Sequence, residues 1–339
     1  MQSLSYAQRF EDFYLLRCFG EQTGGFYIDI GSGHPVYDNV TFAFYLRGWR
    51  GVTVEPNPRL SELSRAVRRR DRHVEALVGA APGETTFYLV QDYHGLSTMF
   101  EGHARSAQTE FGKSSQALSV PVTTLAAICR AHAPGAIDIL KVDVEGAEKD
   151  VLLGGDWQTF RPKIVLAEAL APYTLAPAWP DWEPFLVSHG YRYVWFDTLN
   201  RYYVAEEAAG LARHFEGAPQ SFDAQLAFRN LKPALEDERH PDHRLAAVLR
   251  GAPMAELPLL DPAAVLDLLT SGLPASELSG AAPAEARGAI AERLFGPQVR
   301  LLPDWRPPAS ATLRDLYAAV METEAFQTAC GRISASYAW

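Results

Sequence analysis

Gly25-Phe-Tyr-Ile-Asp-Ile-Gly-Ser-Gly-His34 is an apolar run that ends abruptly in small residues, and Gly51-Val-Thr-Val-Glu55-Pro-Asn57 repeats the design. Phe26 to Ile30 lacks the polar alternation of a strand with one wet face. It therefore predicts a parallel strand buried on both faces that turns sharply toward a helix. Gly31, Ser32 and Gly33 make that turn, where an absent Cβ lets the backbone approach a neighbour closely. A second strand from Gly51 to Val54 ends in Glu55, 24 residues beyond Gly31, the length of one strand–helix–strand unit. Units of this kind confine the chain to an open α/β sheet.

The rest of the first half keeps the alternation. A helix is predicted over residues 8–19, another over 37–47 with Phe42, Tyr45 and Leu46 on one stripe, and a third over 59–70 entered after Pro58. Strands are predicted over 74–78, 85–90 and 137–142, with a short edge strand at 119–123 and a helix at 124–132. A helix at 146–153, a strand at 163–167, a helix at 182–189 and a closing strand pair at 191–196 and 202–204 complete a doubly wound sheet. After Val204 the strand patterns stop. Pro253, Pro258, Pro262 and Pro274 divide an Ala, Leu and Glu-rich stretch, and helices are predicted over 243–250, 262–269, 283–295 and 312–332. Two domains follow, residues 1–206 and a helical accessory domain over 207–339.

Ligands of open sheets bind outside the carboxyl ends of the strands. At the first such end, the turn Gly31 to Gly33 offers backbone N–H groups, and Glu55 can accept two hydrogen bonds from a ribose diol. That geometry suits two nucleoside cofactor classes. Pro35 falls where a dinucleotide fingerprint would continue toward its third glycine, and the Asp29 carboxylate would repel a pyrophosphate but attract a sulfonium. The residues thus favour S-adenosylmethionine, held by Asp29, Gly31, Ser32, Gly33, Glu55, Pro56 and Asn57, over a nicotinamide dinucleotide. A glycine turn without any ligand is the plain structural alternative.

Further blocks carry a family resemblance. Tyr6-Ala-Gln8 with Glu11-Asp12, Gly25 to Gly31, His34-Pro35, Gly48-Trp-Arg-Gly51, Glu55-Pro-Asn-Pro58, Gly95-Leu-Ser-Thr98 and Leu140-Lys-Val-Asp-Val-Glu-Gly146 occur in the order found in FkbM-type methyltransferases, which the chain resembles over about residues 5 to 170. The resemblance implies a Rossmann-like class I methyltransferase sheet with an antiparallel last strand, S-adenosylmethionine as cofactor, and O-methylation of hydroxyls on sugars, glycans or polyketide-type products. A place in polysaccharide biosynthesis is part of that expectation. It also directs attention to Gln8, Asp12, Ser97 and Thr98 as acceptor-binding residues, with His94 in a loop long enough to form a lid.

Lys141 and Asp143 share one strand face, so an ammonium and a carboxylate can meet where a methyl group would be delivered. The catalytic candidates are Asp143 as base, Lys141, Glu145 and His34, whose ordinary pKa suits proton transfer near neutrality. The structural alternatives are that Asp143 caps the following helix with Lys141 neutralising it, that Glu145 and Glu148 complement the helix dipole, and that His34 orders its loop. Glu168 can join Asp143 in holding Mg²⁺ through oxygen. No Asp-Asp dipeptide or His cluster supports a metal requirement. Tyr173, Trp179, Trp182 and Trp195 suit a core better than a sugar-stacking platform.

The net charge of −10 argues against a large nucleic-acid surface. The one dense basic run, Arg68-Arg-Arg-Asp-Arg72, reads as a solvated helix end in preference to a phosphate site. Cys18, Cys129 and Cys330 have neither disulfide nor zinc spacing, which together with the charged first segment and the lack of a membrane-length apolar run indicates a cytoplasmic protein. The expected partners are a carbohydrate or glycosylated acceptor, and a glycan-pathway enzyme or a second copy through the helical domain. An NAD-dependent oxidoreductase and a non-catalytic binding module are the competing functions.

Overall fold

The strands, in chain order, are Leu4–Ser5 (β1), Phe26–Ile30 (β2), Arg50–Val54 (β3), Arg72–Val74 (β4), Leu77–Val78 (β5), Gly83–Val90 (β6), Ser115–Thr123 (β7), Ile139–Val142 (β8), Ile164–Glu168 (β9), Tyr191–Phe196 (β10), Asn200–Ala205 (β11) and Leu226–Ala227 (β12). They come from a computed structural model that describes all residues except 1–3, 21, 91–96, 100, 101, 103, 104, 106–108, 110, 111, 113, 173, 219–224, 298, 300, 301, 338 and 339. Seven strands form one sheet in the order β10-β11-β9-β8-β2-β3-β4. The central strands pair in parallel, and β11 runs antiparallel to both β9 and β10.

Side chains of this sheet alternate between two buried faces. Ile28, Ile30, Leu140, Val142, Val165 and Ala167 pack on one side with residues of the helices Leu125–His132 and Glu148–Leu153. Tyr27, Ile139, Ile164 and Leu166 pack on the other with Tyr14, Leu15, Phe44 and Trp49. Each fully buried Val, Leu or Ile contributes roughly 1.5–3 kcal/mol, and burial on both faces explains why these strands read as continuous apolar runs. Gly51 belongs to the same packing, since a Cβ there would lie 2.2 Å from the Tyr27 ring and carbonyl.

The helices of this half are Glu11–Phe19 (α1), Phe42–Leu46 (α2), Pro58–Val67 (α3), Leu125–His132 (α4), Glu148–Leu153 (α5) and Glu183–Ser188 (α6). The helix predicted over 37–47 begins late for a local reason. Asp38 has a left-handed backbone with φ 49, and the Asn39 side chain accepts from the N–H groups of Thr41 (3.1 Å) and Phe42 (2.8 Å), opening the helix only there. The strand predicted at 74–78 divides into β4 of the large sheet and β5 of a smaller one ordered β5-β7-β6. The edge strand predicted at 119–123 is longer, running from Ser115 as the antiparallel partner of β6.

The described residues divide into two units: 1–34, 38–62 and 70–227 in one, and 35–37, 63–69 and 228–339 in the other. The division on the C-terminal side falls after Ala227, later than the sequence boundary at 206, because Leu226 and Ala227 pair with Leu4 and Ser5. The second unit contains helices His243–Val248 (α7), Pro262–Thr270 (α8), Ala275–Ser279 (α9), Ala286–Phe295 (α10), Leu313–Met321 (α11) and Glu324–Ala335 (α12) around Leu245, Leu269, Ile290, Leu294, Trp305, Val320 and Ile333. The single helix predicted at 312–332 is two. Thr323 leaves helical geometry (ψ 148) and caps α12 by accepting from the Phe326 N–H.

Candidate functional site

The carboxyl ends of β2, β3, β8 and β9 bring most of the sequence-selected groups together. After β2, Gly31 and Gly33 both take left-handed conformations, φ 70 and φ 59, and the N–H groups of Gly31 and Ser32 both donate to the Val54 carbonyl at 3.0 Å. A Cβ on Gly31 would stand 1.8 Å from the Asp143 carbonyl oxygen. Its first requirement for glycine is thus the neighbouring strand end. Ser32 is buried, and its hydroxyl meets no partner among the described residues.

Glu55 joins two turns. One carboxylate oxygen accepts from the Gly33 N–H and the other from the Asn57 N–H, each at 2.9 Å. Burial pushes its pKa up to about 7, against the pull of those two donors and of Lys141. Each oxygen keeps a second lone-pair direction for a ligand donor. Asn57 spends its side-chain oxygen on the Arg59 N–H (3.0 Å) at the start of α3, and Pro56 beside it is buried.

Asp29 and Lys141 are register partners on β2 and β8. The Lys141 ammonium lies 3.4 Å from Asp29 Oδ1 and 3.4 Å from Asp143 Oδ2, and donates to the Gly31 carbonyl at 2.5 Å. Burial alone would lower the Lys141 pKa, but Asp143 and Asp29 outweigh it and hold the group well above its ordinary value. Lys141 is therefore a fixed cation and no proton acceptor. Asp29 is fully buried and accepts from Thr41 Oγ1 at 2.6 Å. Of the three charged groups Asp143 is the accessible one, with 35% of its side chain exposed against 8% for Lys141 and none for Asp29.

Asp143 does not cap α5. The cap position is Ala147, and Glu148 Oε1 instead accepts from the Val144 and Gly146 N–H groups, both at 3.2 Å. Glu145 occupies the left-handed region with φ 55, an uncommon conformation for a side chain of its size. Asp143, Glu145 and Glu168 converge so that one oxygen from each lies within 4.8 Å of the others. Burial first, then the Asp143 charge, raises Glu145 and Glu168 well above the usual carboxylate range.

His34 is buried beside the turn, and the Asn39 amide donates to the carbonyls of Ser32 (3.0 Å) and His34 (3.1 Å). Asn39 and Thr41 thus hold the site from a distance, a role the sequence reading did not assign. Their signal was an Asn-x-Thr before an apolar helix, readable only as a helix start. The residues proposed for the acceptor fare differently. Gln8 is exposed, whereas Asp12 is fully buried and accepts from Ser5 Oγ (2.7 Å) and the N–H groups of Tyr6 (2.8 Å) and Phe13 (2.9 Å), which gives it a structural task in the N-terminal segment. Ser97 Oγ accepts from the Val90 N–H at 3.0 Å and Thr98 bridges Tyr88, so both close the β6 end. His94 and Tyr173 lie outside the described residues.

Residues 29–193, which hold this constellation from Asp29 to Glu168, match the family model of the methyltransferase FkbM domain. The chain carries an FkbM methyltransferase domain. No curated protein and no solved structure matches the chain. The FkbM match ends short of Asn200, which is the register partner of Glu168 and donates to Glu11 Oε1 (3.0 Å) and Asp197 Oδ2 (3.3 Å). Burial, and then the Asp197 charge, pushes Glu11 up to about 8. The sequence reading quoted Glu11 within the N-terminal resemblance block and did not pair it with Asp197.

The aromatics near the FkbM site divide as packing groups. Trp182 is buried edge-on to Tyr203, Trp195 packs on Tyr14, and the Arg201 guanidinium lies 4.0 Å from Trp179 and 3.8 Å from Tyr193. The basic run is not the solvated helix end expected from the sequence. Arg68 is buried, Arg70 lies over the Tyr45 ring, and Asp71 accepts from Tyr27 and the Gly51 N–H. A cavity of about 400 Å³ lined by Tyr191, Arg192, Val204 and Glu206 opens beside the amino end of β9, where Val204 pairs with Ile164, and not at the carboxyl ends that carry Asp143 and Glu168. Among the described residues no helix is long and apolar enough to cross a membrane.

Proposed function

We propose that the chain is an S-adenosylmethionine-dependent O-methyltransferase on a Rossmann-like class I sheet, acting on a sugar hydroxyl of a glycan, nucleotide sugar or glycosylated metabolite. The observation that carries this reading is the pairing of the left-handed Gly31 to Gly33 turn with Glu55 on the adjacent strand end. Glu55, with its remaining lone pairs, suits a ribose diol, and the buried Asp29 suits the cationic end of the same cofactor. When bound, S-adenosylmethionine supplies an electrophilic methyl group.

The chain's own groups supply the rest. Asp143 receives the proton of the acceptor hydroxyl, while Lys141 anchors it through the ion pair at 3.4 Å. Holding acceptor and cofactor in line can supply roughly 7–11 kcal/mol of the barrier, and proton removal adds about 10²–10⁴-fold. The helical unit is assigned to acceptor recognition or to pairing with a pathway enzyme or a second copy.

Calorimetric titration of the full chain with S-adenosylmethionine, S-adenosylhomocysteine and NAD tests the cofactor. Micromolar binding of the first two alone supports the reading and leads to a methyl-transfer screen over neutral sugars, nucleotide sugars and glycosides. Binding of NAD alone would replace it with hydride chemistry.

A further inference from the structure

We propose that Asp143, Glu145 and Glu168 form a binding site for one hard divalent cation of the Mg²⁺ class. The three carboxylates project from the ends of β8 and β9, with one oxygen each inside a 4.8 Å group. Oxygens on opposite sides of Mg²⁺ or Ca²⁺ stand about 4–5 Å apart, twice the metal–oxygen distance. The donor set is oxygen alone, which selects Mg²⁺, Mn²⁺ or Ca²⁺ over zinc or copper.

One observation independent of that clustering points to a ligand. Glu168 Oε2 is buried and meets no hydrogen-bond donor among the described residues, whereas buried acceptors are nearly always satisfied. The one ammonium beside the group is divided among Asp29, the Gly31 carbonyl and Asp143, and its pull on Glu145 is outweighed by burial and by the Asp143 and Glu148 charges. A divalent ion supplies both the missing partner and the missing charge. It would also fix and polarise an acceptor hydroxyl beside Asp143, a role that rests on the methyl-transfer reading. The binding itself does not.

The test titrates Mn²⁺ into the full chain without cofactor and follows free Mn²⁺ by electron paramagnetic resonance, with Mg²⁺ as competitor. The expected result is a single Mg²⁺-competed site that Glu168→Gln weakens by about tenfold or more, while Glu62→Gln on the exposed face of α3 leaves it unchanged. Glu145→Gln provides the same comparison if Glu168→Gln does not fold. Folded wild type that retains no Mn²⁺ at low millimolar concentration, or a site indifferent to both substitutions, overturns the proposal. Titrating S-adenosylmethionine into the same samples separates the two ideas. Cofactor binding without Mn²⁺ binding sinks the cation alone, and Mn²⁺ binding without cofactor binding sinks the methyl donor alone.

Discussion

Gly31 shows how little room a single position can leave. A methyl group there meets the Asp143 carbonyl at 1.8 Å on a backbone with φ 70, so Gly31→Ala is expected to destabilise the chain by about 2 kcal/mol or more, through strain and displacement of a strand end together. Urea unfolding measures it, and an unchanged midpoint would mean the turn can move away at no cost. Glu55→Ala is expected to weaken S-adenosylmethionine binding by roughly 1.5–3 kcal/mol through loss of charge-assisted hydrogen bonds, read by calorimetry. Asp143→Asn separates chemistry from architecture. Turnover should fall by about 10²-fold or more while cofactor affinity and melting temperature hold; equal losses in all three would make Asp143 a structural group. The sequence disclosed Gly31, Glu55, Lys141 and Asp143 because each sits at a strand end with a distinctive neighbour. It could not disclose Asn39, Thr41 or Asn200, whose partners lie across turns or more than a hundred residues away.

The elements were legible in proportion to how much of their pattern is set by burial. β2, β3, β8 and β9 stood out because both faces are covered. The beginnings of α1 and α2 did not, since Phe10 and Asp38 adopt left-handed backbones that no periodicity announces. α1 carries the clearest pH signal. Burial and Asp197 raise Glu11 to about 8 from an unfolded value near 4.5, so between those values the folded chain binds more protons than the unfolded one. Its stabilising contribution is fully present below about pH 4.5 and is lost as pH rises through about 8. Denaturation midpoints should therefore fall between about pH 6 and about pH 9, and the fall should be smaller in Glu11→Gln. An identical fall in the variant would place the titrating group elsewhere.

At the scale of the whole molecule, the composition change after Val204 announced a helical half, but not that this half reaches back for residues 35–37 and 63–69. Within it a Cβ on Gly331 would fall 2.5 Å from Val67 and 3.3 Å from Val36, so these valines complete the packing of α12. Ending the chain at Ala227 is expected to leave Val36 and Val67 without that cover. The shortened chain should aggregate or melt well below the full-length protein, as differential scanning fluorimetry would show; equal melting temperatures would make 1–227 self-sufficient. The same feature bears on how the protein is born. Val67 leaves the ribosome roughly 260 residues before Gly331, a wait of tens of seconds at about 5–20 residues per second. Val36 and Val67 are thus made long before the helix whose Gly331 they pack against, so this unit can close its packing only after the last segment has been synthesised.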